Sequence, residues 1–88
     1  MNFEFDPDKS QANKQKHGID FVQAQQLWAD PNRAEFVAKF KKDEERYGII
    51  ALFQRSIWCG IYTLRNERIR LISVRRARKD EKKIYHDS

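Results

Sequence analysis

The sequence predicts an α+β domain in which an antiparallel meander of about four strands follows two helices and precedes a third. Three observations lead there. Residues 34–74 alternate with a period of two in four runs joined by short polar segments, two capped helical segments come before them, and a charged amphipathic helix comes after them without an intervening glycine or proline. A length of 88 residues suits one domain, 1–88, with a small core. Hydrophobic residues at 40%, with two Trp, three Tyr and six Phe, argue for a folded chain despite a mean hydropathy of −0.90.

Phe3 and Phe5 alternate with Asn2 and Glu4, which marks a short strand or an extended arm. Asp6-Pro7-Asp8 then reads as N-cap, first-turn proline and an acid at a helix N-terminus, and Gly18 ends that helix after His17. Ala12 is the one aliphatic residue from Asp8 to His17, so hydrophobic burial alone does not dock the helix; shallow packing with a polar face free for a ligand is expected. Asp20 caps a second helix, whose Phe21, Ala24, Leu27 and Trp28 face the core, and Asp30-Pro31-Asn32 stops it.

The first long strand places Ala34, Phe36, Ala38 and Phe40 on its buried face, and Lys41-Lys42-Asp43-Glu44 forms the turn that follows. Glu45–Phe53 and Ile57–Leu64 are apolar on both faces and therefore central; Gln54-Arg55-Ser56 and Arg65-Asn66-Glu67 are tight connections. In the last strand Ile69, Leu71 and Ser73 share one face and Arg68, Arg70, Ile72 and Val74 the other. The closing helix spans about residues 76–85 and aligns Ala77, Glu81, Ile84 and Tyr85.

Charge is concentrated. Residues 65–83 carry nine Lys or Arg against Glu67, Asp80 and Glu81, a balance of +6 where the whole chain has +5, so the remainder sums to −1. A summed cationic field of this kind is the footprint of a polyanion site, and a solvated basic helix is the plainer alternative. The single cysteine, Cys59, excludes an intramolecular disulfide, and with His17 and His86 it makes no metal-ligand spacing, so neither metal nor cofactor is expected. The N-terminus lacks the pattern of a signal peptide, and no run is long and apolar enough to span a bilayer. A soluble cytoplasmic protein without membrane contact is expected.

Several of these residues together resemble a known family. Phe5-Asp6, Lys9, Asn13, Lys16-His17-Gly18-Ile19, Phe21, Ala24, Trp28 and Asp30-Pro31 are similar to the N-terminal signature of the BrnT family of type II toxins. Glu45-Arg46-Tyr47, the run from Arg70 to Ala77, Glu81 and Tyr85 are similar to its C-terminal signature. The resemblance covers nearly the whole chain. It implies a RelE-like ribonuclease fold, RNA cleavage that arrests translation, and neutralisation in a hetero-oligomer by a BrnA-like antitoxin, through which alone the operator DNA is bound.

Cleavage of RNA without a metal requires a proton acceptor for the ribose 2′-OH and cations fixed at the phosphate. Arg70, on a rigid strand, is the first phosphate clamp, unless it only pairs with Glu45 or Glu81; Arg75, at the strand-to-helix junction, is the second. His17 or Glu45 moves the proton, although His17 also suits a helix C-terminus and Glu45 a surface ion pair with Arg46. Lys9, Lys16, Arg46, Arg68 and Arg76 are expected to bind the RNA backbone. Glu81 orients an arginine, and Tyr85 stacks a base or packs the last helix. Trp28 and Cys59 read as packing residues. A basic module that binds nucleic acid or a protein without catalysis is the competing class.

Overall fold

The computed structural model describes residues 2–40 and 44–87. Its elements are β1 (Phe3–Glu4), α1 (Pro7–His17), a 3-10 helix (Gln23–Ala29), β2 (Ala34–Phe40), β3 (Glu45–Phe53), β4 (Ser56–Arg65), β5 (Arg68–Arg76) and α2 (Lys79–Asp87). The order of elements is the α+β order expected, but the sheet is mixed and has five strands, β1-β5-β4-β3-β2. The meander of four antiparallel strands gains β1, which pairs in parallel with β5 through Phe3–Ile69 and Glu4–Arg70. That partner is 66 residues away, and nothing local in Phe3-Glu4 signals it. Except for Glu44, the turn expected at Lys41-Lys42-Asp43-Glu44 falls outside the described residues. No helix among the described residues is long and apolar enough to cross a membrane.

The second helix is 3-10 rather than α. Phe21, Ala24 and Leu27 recur every third residue, which matches the three residues per turn of a 3-10 helix, and all three are fully buried. Asp20 still caps this segment. Its carboxylate accepts from Gln23 N–H at 2.7 Å while the Gln23 side chain accepts from Asp20 N–H at 3.1 Å, a reciprocal capping box. The closing helix starts at Lys79, later than expected, because β5 continues through Arg76 opposite Trp58, and Ala77 N–H still bonds Ile57 C=O at 2.9 Å.

Two β-bulges decide what each sheet face presents. On β5, Leu71 pairs with Tyr62 and Ser73 with Ile61, so Ile72 is an extra residue and the alternation changes phase there. Ile69, Leu71 and Val74 therefore all join the core, and Arg68, Arg70, Ser73 and Arg75 share the opposite face. Simple alternation had put Ser73 with Leu71 and Val74 with Arg70; the bulge corrects both placements. On β2, Val37 pairs with Tyr47 and Lys39 with Arg46, which makes Ala38 extra and turns Lys39 to the same outer face. Phe36 lies opposite Gly48 on that face too, away from the core to which alternation assigned it.

The core lies between the inner sheet face and the N-terminal helices, and gathers Ile19, Phe21, Leu27 and Trp28 against Ile49, Ala51, Tyr62, Leu71 and Val74. Helix α1 joins it without an apolar stripe. Its buried residues are Ser10 and Asn13. The Ser10 hydroxyl accepts from Phe21 N–H at 2.9 Å. Asn13 donates to Ile19 C=O at 2.8 Å and to Val74 C=O at 2.9 Å, and accepts from Val74 N–H at 3.1 Å. A side-chain amide thus continues the β5 ladder beyond the two-residue β1. The polar residues that face the sheet are spent on backbone, while Lys9 and Lys16 stay exposed on the rest of the helix.

Replacing Asn13 with alanine leaves three buried backbone groups unpaired and is expected to cost about 3 kcal/mol, read from the urea midpoint of the purified protein. A loss below about 0.5 kcal/mol would show that the amide is not what holds α1 to β5.

Candidate functional site

The outer sheet face carries the cations in register. Lys39 pairs with Arg46, Arg46 and Thr63 each stand one position beyond the Tyr47–Tyr62 pair, and Thr63 pairs with Arg70 and Arg70 with Glu4, so these residues form a row across the sheet from β2 to β1. The N-terminal end of α1 adds Lys9 to this row, and the β4–β5 hairpin adds Arg65. Together Lys9, Glu44, Arg46, Thr63, Arg65, Arg70 and Ile72 line a cleft of about 210 Å³. Its lining has four cations against Glu44, a balance of +3, or +2 once Glu4 is counted. Arg70 Nη1 donates to Glu4 Oε2 at 2.9 Å, and Arg65 Nη2 to Glu44 Oε1 at 3.2 Å. Neither of the carboxylates foreseen for Arg70, Glu45 and Glu81, is the one that holds it. Arg46 Nε is buried with no hydrogen-bond partner among the described residues, a donor that an anion oxygen in the cleft would satisfy.

Arg75 stands on the same face as Arg70, about 13 Å further along the strand if four regular positions separate them. Its guanidinium forks onto Glu81, Nη1 to Oε1 at 2.7 Å and Nη2 to Oε2 at 2.9 Å. Glu81 also accepts from Arg78 N–H at 2.8 Å, so it fastens the first turn of α2 to β5. The bonds from Arg75 hold the Glu81 carboxyl down at about 2, against the upward push of burial, and in return raise the Arg75 guanidinium. The two guanidiniums are therefore held by different carboxylates, Arg70 by Glu4 and Arg75 by Glu81.

The two residues expected to move the proton do not sit in the Arg70 cleft, whose lining includes neither His17 nor Glu45. His17 closes the far end of α1, about 12 Å of helix rise from Lys9, and is half-buried. Lys16, exposed beside it, is likewise outside the cleft that Lys9 lines. Glu45 is nearer. It lines a wider cleft of about 620 Å³ with Glu44, Tyr47, Thr63, Leu64 and Arg65, three of which also line the Arg70 cleft. Its carboxylate accepts from the Tyr47 hydroxyl at 2.6 Å, a bond that raises the tyrosine above its ordinary value.

Arg76 and His86 meet elsewhere. With Arg55, Ser56, Ile57 and Lys82 they line a cleft of about 290 Å³, where Arg76 donates to Ser56 Oγ at 3.0 Å and lies 5.1 Å from the centre of the Trp58 ring. His86 belongs to α2, which runs past the Tyr85 at which sequence reasoning ended it. Arg68 is exposed at the start of β5 and lines none of these clefts. Tyr85 donates to Asp30 Oδ2 at 2.7 Å, and that bond pushes its hydroxyl up to about 12. Asp30 also accepts from Leu52 N–H and Asn32 N–H, each at 2.8 Å, so Tyr85 ties α2 to the end of the 3-10 helix. Burial pushes the Cys59 thiol up to about 12, a packing residue with no nucleophilic thiolate.

Sequence reasoning missed Lys39, Arg65, Glu4, Glu44 and Phe36. Gly48 was the available signal, since a glycine inside a strand marks close approach, here by the Phe36 ring. Among the described residues no three His, Cys, Asp or Glu side chains gather as metal ligands. Residues 5–81 match the family model described as the ribonuclease toxin BrnT of type II toxin–antitoxin systems. No curated protein matches the chain.

Because the folded Glu81 carboxyl lies below its unfolded value of about 4.3, its stabilisation is present above that pH and lost as pH falls toward about 2. Glu81→Gln is expected to cost about 2 kcal/mol at pH 7 and to flatten the acid side of the stability curve between those limits. Urea midpoints measured from pH 2 to 7 test this, and an unchanged acid limb contradicts it.

Proposed function

The chain belongs to the BrnT family of ribonuclease toxins of type II toxin–antitoxin systems, and from that membership we propose that it cuts RNA without a metal ion, on a RelE-like fold, at the outer face of the sheet. RNA is the substrate and an antitoxin the partner. The convergence of Lys9, Arg46, Arg65 and Arg70 in one cleft carries the reading, because cations fixed on a strand, a helix and a hairpin supply the charge that a phosphorane requires. Arg70 is the clamp. Its partner Glu4 holds the guanidinium in place and leaves further N–H donors for phosphate oxygens.

The ribose 2′-oxygen attacks phosphorus, the bond from phosphorus to the 5′-oxygen breaks, and the products are a 2′,3′-cyclic phosphate and a 5′-hydroxyl. Of the two proton acceptors considered, Glu45 is the nearer: it lies beside Tyr47 on the strand face opposite Arg46, at the end of the sheet where Glu44, Thr63 and Arg65 line both clefts, and reaching round that end it is assigned the 2′-OH proton; the leaving oxygen takes its proton from solvent. Arg75, held by Glu81, extends the cationic track and does not touch the scissile phosphate. The antitoxin is of the BrnA type, joins the toxin in a hetero-oligomer, neutralises it by covering the outer face, and alone contacts operator DNA. Translation arrest in the cytoplasm follows from cleavage.

Arg70→Gln is expected to lower the single-turnover rate on labelled RNA by about 10²- to 10³-fold with EDTA present, and Glu45→Gln by about 10²-fold or more. Both variants are expected to keep the native circular dichroism spectrum. Undiminished cleavage by a folded Arg70→Gln protein removes the clamp, and dependence of the wild-type rate on added divalent metal removes the metal-free route.

A further inference from the structure

Among the large apolar side chains whose exposure is described, Phe36 is the one exposed aromatic, at 37%, and it stands on the outer face of the edge strand β2. Its row runs Phe36–Gly48–Ile61–Ser73, immediately beside the row that carries Lys39, Arg46 and Arg70. The ring lies down on the strand, because a Cβ at Gly48 would fall within contact of its Cζ and both Cε atoms. One face of the ring is therefore fixed against backbone, and the residue's exposed surface faces outward. Gly48 and Arg46 are two residues apart on one strand face, about 6.6 Å, so a base lying on the ring places its own backbone at the cations. The Ala38 bulge turns Lys39 to the same side.

Resting on the reading of this face as the RNA site, we propose that Phe36 is a stacking platform for one unpaired base, and that the substrate class is single-stranded RNA whose phosphates run along Lys39, Arg46 and Arg70. A duplex keeps its bases stacked on one another and cannot offer one to the ring, whereas every base of a single strand has a free face. The platform sets which nucleotide halts over the cleft; the cations set how tightly the strand is held.

The test uses the full-length protein and a labelled ten-nucleotide 2′-O-methyl RNA, which cannot be cleaved, against the same sequence as a duplex. Phe36→Leu is expected to weaken single-strand binding about tenfold, to leave duplex binding unchanged, and to preserve the slope of log affinity against log salt. Arg46→Gln, by contrast, reduces that slope by about one. Phe36→Trp retains binding, and its added emission is quenched by the bound strand, a readout that survives if the leucine variant fails to fold. Unchanged affinity for Phe36→Leu together with a lower slope for Arg46→Gln overturns the platform and leaves the cationic face standing. No effect from either variant overturns both. Equal losses on single strand and duplex, or a Trp emission that RNA does not alter, overturn stacking, as does a Phe36→Leu defect confined to antitoxin binding.

Discussion

The extra residue in β5 governs what the rest of this molecule can do. Between Leu71 and Val74, both in the core, alternation allows no consistent pleat unless one residue is left out of the pairing, and Ile72 is that residue. Without the change of phase, keeping Leu71 inside would turn Val74 to water and Arg75 into the core, and keeping Val74 inside would turn Arg70 in; a lone buried guanidinium is far costlier than a local bulge. With it, Arg70 and Arg75 share a face although their numbers differ in parity. The bulge at Ala38 does the same for Lys39 on the sheet's other flank.

Gathering so many cations on one face works against folding, and the structure offsets it with carboxylates placed at particular arginines. Glu4 meets Arg70, Glu44 meets Arg65 and Glu81 meets Arg75. Each pair sits where a different element must be fastened: β1 to β5, the start of β3 to the end of β4, and α2 to the end of β5. The acids lower the local repulsion and fix the arginines' directions, yet the Arg70 cleft keeps its positive balance. Arg46 keeps a buried Nε donor that has no such partner among the described residues.

The same economy of apolar surface appears in α1. A helix with almost no hydrophobic side chains is docked by Ser10 and Asn13 through backbone hydrogen bonds, which are directional and so fix its rotation as well as its position. That rotation brings Lys9 into the cleft. At the opposite corner Asp30 collects the Leu52 and Asn32 N–H groups and the Tyr85 hydroxyl, and these bonds with the Arg33 charge hold its carboxyl below the ordinary value although burial pushes it upward.

Sequence by itself determined the order of elements, the caps at Asp6, Gly18 and Asp20, the two tight hairpins and the concentration of charge, because each of these follows from residues near one another in the chain. It also carried the family, through motifs spread over the whole length. Only the tertiary structure decided the parallel pairing of β1, the 3-10 form of the second helix, and which side chains meet. Bulges leave no local mark that alternation can read, so the faces of Phe36, Lys39, Val74 and Arg75 could not be placed before the strands were paired. The partners of Arg70 and Asn13 lie more than sixty residues away, and their choice belongs to the packing of the sheet.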